Sequence, residues 1–201
     1  MNIKYDRYLF CLSKSFYDLT VKYSTQVRMI TNEEGLFFGF TNFQPKSVSY
    51  ATLVLGASYA WNYSEKTLDN LEFLLNHYVF NDKTGYTAKA LLTLGNAYLK
   101  TGIPEGNANA FHLMIRRYTW TMNGHYQTKH LNEKGLFAAK LEIEKGLEEL
   151  QKAEPTSKDA KIILKEVKQA SHLALFGIHL GLERLKAKDM KTENIPKKTK
   201  Q

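Results

Sequence analysis

The sequence predicts a mainly α fold, with antiparallel helical hairpins stacked as a bundle or as repeats and one small β-hairpin near the N-terminus. Three observations lead there. Apolar residues return every three or four positions over most of 49–188. Gly102 with Pro104, and Pro155 further on, punctuate these runs where one helix ends and another begins. Clustered β-branched and aromatic residues around a glycine turn are confined to 27–43. The chain thus divides into an N-terminal helix and hairpin over 1–48, a helical domain over 49–188 and a disordered lysine-rich tail over 189–201.

Residues 4–25 place Tyr8, Leu9, Leu12, Phe16, Leu19 and Tyr23 at the spacing of a first amphipathic helix. In 27–43, Asn32-Glu33-Glu34-Gly35 forms the hairpin turn, with Gly35 supplying a positive φ. A helix running through this segment is the alternative, and Gly35 and Gly39 oppose it. After Pro45, segments 50–63 and 64–80 read as a helical pair. Leu53, Leu55, Ala57 and Ala60 would face Leu68, Leu71, Leu74, Leu75 and Tyr78.

Segment 86–117 organises the rest, as two antiparallel helices about a tight turn. After a Thr87 cap, Ala90, Leu91, Leu94, Ala97 and Tyr98 form one apolar stripe, with Lys89, Asn96 and Lys100 on other faces. In the second helix Ala110, Phe111, Met114, Ile115 and Tyr118 point inward. His112, Arg116 and Trp120 point away, so its outer side is basic and aromatic. Residues 121–131 hold Gly124 and few apolar residues, and read as a loop or a helix start.

From 132 to 153 the pattern is strongly helical, with Leu136, Ala139, Ile143, Leu147 and Leu150 inward and Lys140, Glu142, Lys145, Glu148, Glu149 and Lys152 outside. Pro155-Thr156-Ser157 stops this helix and caps the last one, expected over 158–186. That helix changes character halfway. Ile163, Leu164 and Val167 make its first part amphipathic, whereas 171–182 is apolar nearly all round, as in a helix covered by its own core or by another subunit.

The net charge of +8 is unevenly spread. Residues 184–201 hold seven Lys or Arg against Asp189 and Glu193, which is +5 and leaves +3 for 1–183. A nearly balanced body argues little for a nucleic-acid surface. The single cysteine, Cys11, excludes an internal disulfide and suits a reducing compartment; a small buried hydrophobe is its expected role. Lys4, Asp6, Arg7 and Lys14 break the N-terminal apolar run, and no segment approaches the ~20 apolar residues of a membrane span. A cytoplasmic protein with no membrane contact is expected.

Within 91–102, Leu94-Gly95 is followed by Tyr98 three residues on and then by Gly102, and Phe111 adds a large residue in the next helix. This set resembles the first helix of a tetratricopeptide repeat, with Phe111 matching the large residue of the second. Leu55, Gly56 and Tyr59 repeat the spacing 39 residues earlier, and 144–167, with Pro155, looks like the end of a repeat leading into a capping helix. Units would start near 49, 88 and 124, spaced 39 and 36 apart against a usual ~34. Asn107 stands where the family has a small residue, and the third unit lacks the Leu-Gly pair. The resemblance implies a right-handed stack of helical hairpins whose concave face binds a peptide or protein segment.

His112, His125 and His130 lie near Arg116 and Arg117, but a metal pair on a helix needs histidines four apart with a carboxylate, and nothing of that form is present. His172, Phe176, His179 and Glu183 share one face of the last helix. His179 and Glu183 are suitably spaced to share a metal, yet no second His-rich helix completes a ligand set, so a subunit contact is the preferred reading. The sequence contains no Gly-rich phosphate loop, CxxC, GxSxG or Asp-rich magnesium motif. No catalytic residue, metal or cofactor is expected.

Two functions follow. The first is a non-enzymatic adaptor that binds a protein or peptide through Lys89, Asn96, His112, Arg116 and Trp120, and self-associates as a homo-oligomer through His172, Phe176, His179 and Glu183. The second is a subunit of a nucleic-acid complex, with Arg116, Arg117, Lys129 and the lysine tail on phosphates and Tyr118, Trp120 or Tyr126 stacking on bases of a single strand. Glu142, Glu144, Glu148 and Glu149 weigh against the second.

Overall fold

The computed structural model describes residues 50–51, 54, 57–58, 69–103, 110–116, 128–187 and 195, apart from the side chains of His112, Arg116 and Thr128. The expected N-terminal helix, the hairpin at 27–43 and the tail lie outside these residues, as do Arg117, Tyr118, Trp120, His125 and Tyr126. Among the described residues all regular structure is helical. Helix α1 is Leu71–Leu74 and runs on as a π-helical segment, Leu75–Phe80. Helix α2 is Tyr86–Asn96, tightening into a 3-10 turn over Ala97–Thr101. Helix α3 is Ala110–Arg116, a short 3-10 turn spans Thr128–His130, α4 is Glu133–Gln151 and α5 is Ala160–Lys186.

The helices on either side of Gly102 are not the antiparallel pair expected of 86–117: they run in the same direction, and neither is the other's chief partner. Helix α2 packs on α4, where Lys89 meets Glu149, Lys100 meets Glu142 and Leu94 lies beside Gly146. Rising numbers on α2 meet falling numbers on α4, so the two run antiparallel. Helix α3 packs on α5 instead, with Phe111 beside Gly177 and Met114 beside Gly181, and these two run parallel. Helices α4 and α5 form the antiparallel hairpin of the fold, with Leu136 beside Gly181 at one end and Leu150 clustered with Ile163 and Val167 at the other.

Two glycines let helix backbone meet neighbouring backbone directly. A Cβ at Gly135 would overlap the Thr101 carbonyl, and one at Gly177 would sit 2.8 Å from the Phe111 carbonyl oxygen. In both places the obstacle is backbone, which cannot rotate aside. One apolar cluster results, joining Tyr98 and Ile103, Phe111 and Met114 of α3, Leu136, Ala139 and Ile143 of α4, and Ala174 and Ile178 of α5. A second joins Ala51, Leu71, Leu75 and Phe80 to Ala88 and Leu91 of α2 and to Leu150, Ile163 and Val167.

Tyr78 departs from its expected inward place. The π-helical segment adds a residue to the turn, so five residues after Leu75 it is Phe80 that enters the core, edge-on to Tyr50 at 5.8 Å. Tyr78 is left exposed beside His77, which stacks on Phe73.

Nor does Thr87 cap α2, because Gly85 holds that position with φ 79° and offers no side chain. The capping is done by Asp82. Its Oδ1 accepts from the Thr84 amide (2.8 Å) and hydroxyl (2.6 Å), and its Oδ2 from the Thr87 amide (2.9 Å) and hydroxyl (2.6 Å). Asn76 adds a further tie, accepting from the Ala88 amide at 3.0 Å and donating to the Gly85 carbonyl at 2.9 Å.

The start of α5 also differs from expectation. Ser157 Oγ makes no hydrogen bond among the described residues; instead the Thr156 and Ser157 amides both donate to the Phe80 carbonyl at 3.1 Å, tying this loop to the end of the first helix. The left-handed end at Gly102 forms as read, and the start of α4 carries a cap that the apolar pattern alone did not name. Gly102 closes the α2 segment with φ 67°, and the Asn132 side chain accepts from the Gly135 amide at 2.8 Å to cap α4.

Burial pushes the Asp82 carboxyl up, but its four hydrogen bonds together outweigh that, and its pKa is held below the ordinary 3.8. A group depressed in the folded state stabilises the fold above its unfolded pKa and loses that contribution as pH falls through the folded value. Asp82→Asn turns an amide donor toward groups that are themselves donors, and should cost about 2 kcal/mol at pH 7. Urea denaturation should show that deficit shrinking as pH falls below the ordinary aspartate value. Gly177→Ala should cost about 1–3 kcal/mol in the same assay, because the α3 backbone must move to admit the methyl group.

Candidate interaction surface

Helix α4 has neighbours on two sides and nothing described on the third. Gly135, Glu142, Gly146 and Glu149 line its seam with α2, while Leu136, Ala139, Ile143 and Leu150 face the core. The remaining stripe carries Phe137 and Leu141, four residues apart, exposed by 49% and 67%. Helix α5 repeats the situation. Ile163, Val167, Ala174 and Ile178 face the core and Gly177 and Gly181 admit α3, so the opposite face presents Lys161, Lys165, Lys168, His172, Phe176 and His179 to solvent. Phe176 is 50% exposed.

The Ala97–Thr101 turn that continues α2 also touches α3, so α2 and α3 lie on one side of the α4–α5 hairpin and these two outward faces lie on the other. With Leu136 beside Gly181 and the helices antiparallel, five residues along α4 and five back along α5 bring Leu141 to the level of Phe176. Half-buried Leu175 and Leu182 lie toward the seam between the helices. The surrounding charges are mostly paired locally, Lys140 with Glu144 at 3.6 Å and Lys186 with Glu183 at 3.3 Å. The surface is thus apolar at its centre and close to neutral at its rim.

The residues expected to self-associate coincide with part of this surface. His172, Phe176 and His179 are exposed on one face, and Glu183 beside them is half-buried and bound to Lys186. Of the expected partner-binding set, Lys89, Asn96, His112, Arg116 and Lys129 lie among the described residues. Lys89 is engaged with Glu149 at 3.6 Å and lies 5.7 Å over the Tyr86 ring; Asn96 and Lys129 are exposed on separate elements; His112 and Arg116 lie on α3.

Glu149, expected outside, is buried in the α2–α4 seam, where Thr93 donates to it at 2.7 Å. Arg184, counted above with the charges of the tail, is fully buried, on the side of α5 shared with Gly177 and Gly181, and burial pulls its guanidinium below the ordinary value. Phe137 and Leu141 were missed as surface residues, although their spacing opposite Ala139 and Ile143 was visible in the sequence.

Among the described residues no group of three or more His, Cys, Asp or Glu is arranged to hold a metal ion, and no helix is long and apolar enough to cross a membrane. Comparison with protein-family models, curated proteins and solved structures finds no match to this chain.

The Lys89–Glu149 pair joins a half-exposed lysine to a buried carboxylate. Lys89→Gln should cost no more than about 1 kcal/mol after allowance for solvent screening. A double-mutant cycle with Glu149→Gln should show most of that loss disappearing in the double variant, which marks Lys89 as a tie within the fold.

Proposed function

We propose that the protein is a non-enzymatic helical scaffold that binds protein through the outward face of α4 and the second half of α5, and that a second copy of the chain is the partner seated there. The observation carrying this reading is the placement of three large apolar side chains, Phe137, Leu141 and Phe176, each about half or more exposed, on one side of a rigid antiparallel hairpin. Isolated exposed apolar residues are ordinary, but three large ones on the same side of one helical hairpin suit a contact surface. The paired charges at the rim support it further, because ion pairs already satisfied within one chain need no new partner when the face is covered.

A two-fold contact uses the same patch on both copies, and this face suits that arrangement with its apolar centre and both signs of charge around it. The tetratricopeptide resemblance of 91–102 points toward the same class of function, since it implies a protein-binding surface. A single cysteine, Cys11, agrees with a cytoplasmic setting. Nucleic-acid binding is a second reading, favoured by the lysines on the first half of α5.

Sedimentation velocity from about 1 to about 100 µM covers the range in which an interface of modest size dissociates. The wild-type chain should pass from monomer to dimer across it. The variant Phe137→Ser with Leu141→Ser and Phe176→Ser should remain monomeric with unchanged helical circular dichroism. A wild-type chain that stays monomeric throughout would remove the second copy as the occupant of this face.

A further inference from the structure

The first half of α5 has a different outward face from the second. Lys161, Lys165 and Lys168 are all exposed there. Standing four and three residues apart, they share one side of the helix and are separated by about 6 and about 4.5 Å along its axis. No salt bridge engages them among the described residues, whereas Lys140, Lys145 and Lys186 each have a glutamate within 4 Å. Like charges at these spacings repel, so the row destabilises the isolated helix rather than supporting it.

The acids of the same half are turned elsewhere. Glu166 stands about 100° around the helix from Lys165, and its carboxylate, with that of Asp159, adds to burial in pushing the Tyr50 phenol up. On α4, the antiparallel register brings exposed Glu148 to this level, one carboxylate against three lysines, while Lys152 is turned to α2, 5.5 Å from the Tyr86 ring centre. The row therefore keeps its positive charge.

We propose that Lys161, Lys165 and Lys168 bind the phosphate backbone of single-stranded nucleic acid without reading its sequence. A straight line of cations a few ångströms apart fits a linear polyanion. Lysines are flexible point charges suited to phosphate, and the row has no arginine fork for a base edge. His172 continues the line four residues on and offers an exposed ring on which an unpaired base can stack. A lipid surface fits less well, because Ile162, the exposed apolar residue of this half, stands to one side of the row and nothing apolar alternates with the lysines to enter a bilayer. The proposal rests on the nucleic-acid reading above; it shares only His172 with the self-association face, and because Phe137, Leu141 and Phe176 belong to the other half of the surface, the two readings fail separately.

Fluorescence anisotropy of the full chain with a labelled oligothymidylate of about twenty nucleotides, between about 50 and about 200 mM salt, tests it. Binding should weaken steeply as salt rises. The variant Lys161→Gln with Lys165→Gln and Lys168→Gln should bind at least about tenfold more weakly at the lower salt, and the slope of log K against log salt should fall by about 2, at ~0.7 per phosphate contact on a single strand. Lys140→Gln with Lys145→Gln should change neither, and circular dichroism should show both variants as helical as the wild type.

Three results would overturn the proposal. One is a wild-type chain that binds no strand at the lower salt. Another is a triple variant that binds as the wild type does, which would assign binding to the C-terminal lysines. The third is displacement of the strand by polyglutamate at equal charge, or equal affinity for a duplex, which would make the row a surface for acidic protein or for phosphate in any form.

Discussion

The fold depends on two places where backbone meets backbone without a side chain between. At Gly135 the first turn of α4 lies against the Thr101 carbonyl, and at Gly177 the middle of α5 lies against the Phe111 carbonyl. Each contact fastens one helix of the 86–117 segment to the α4–α5 hairpin, and between them the apolar cluster around Met114, Leu136 and Ile178 closes. Contacts of this kind are short because glycine has no Cβ, and they are intolerant because carbonyls cannot change rotamer. They fix where α2 and α3 sit, and thereby which sides of α4 and α5 are left over.

That remainder is where function is to be sought. Helix α4 spends one side on α2 and another on the core, and α5 spends its sides on α3 and the core. What stays outside has two characters along α5, lysines in its first half and Phe176 between histidines in its second, with Phe137 and Leu141 beside the latter. Charges within the helical layer are largely consumed internally. Glu142 bridges Lys100 and Lys145, and Glu149 takes Thr93 and Lys89. The lysines of the first half of α5 differ in forming no ion pair among the described residues, and the apolar group of the second half differs in facing away from the core.

Much of this was legible from periodicity. The inward stripes of α2, α4 and α5 fall on buried or half-buried positions, Gly102 adopts the left-handed turn and Asn132 begins α4, because each depends on residues within one or two turns of the same helix. What the sequence left hidden depends on neighbours. Glu149 and Lys89 look like solvated charges until α2 is laid against α4. The buried Arg184 looks like the first charge of a basic tail until α3 is laid on α5. Tyr78 turns outward and Phe80 enters the core because a π-helical turn changes the register, which the local apolar pattern does not reveal. The candidate surface was half legible: the His172–Glu183 face was visible as a stripe, whereas Phe137 and Leu141 passed unnoticed until both faces were seen to look the same way.

The central claim is that the outward face of α4 and α5 meets the same face of a second chain. The most direct measurement is pulsed dipolar electron resonance on a chain carrying Cys11→Ser and a spin label at Lys145→Cys, an exposed position on α4 beside the apolar group. A narrow inter-chain distance distribution, lost when Phe137, Leu141 and Phe176 are all replaced by serine, is the result the account predicts. A featureless background decay at concentrations where the chain is fully folded would contradict it.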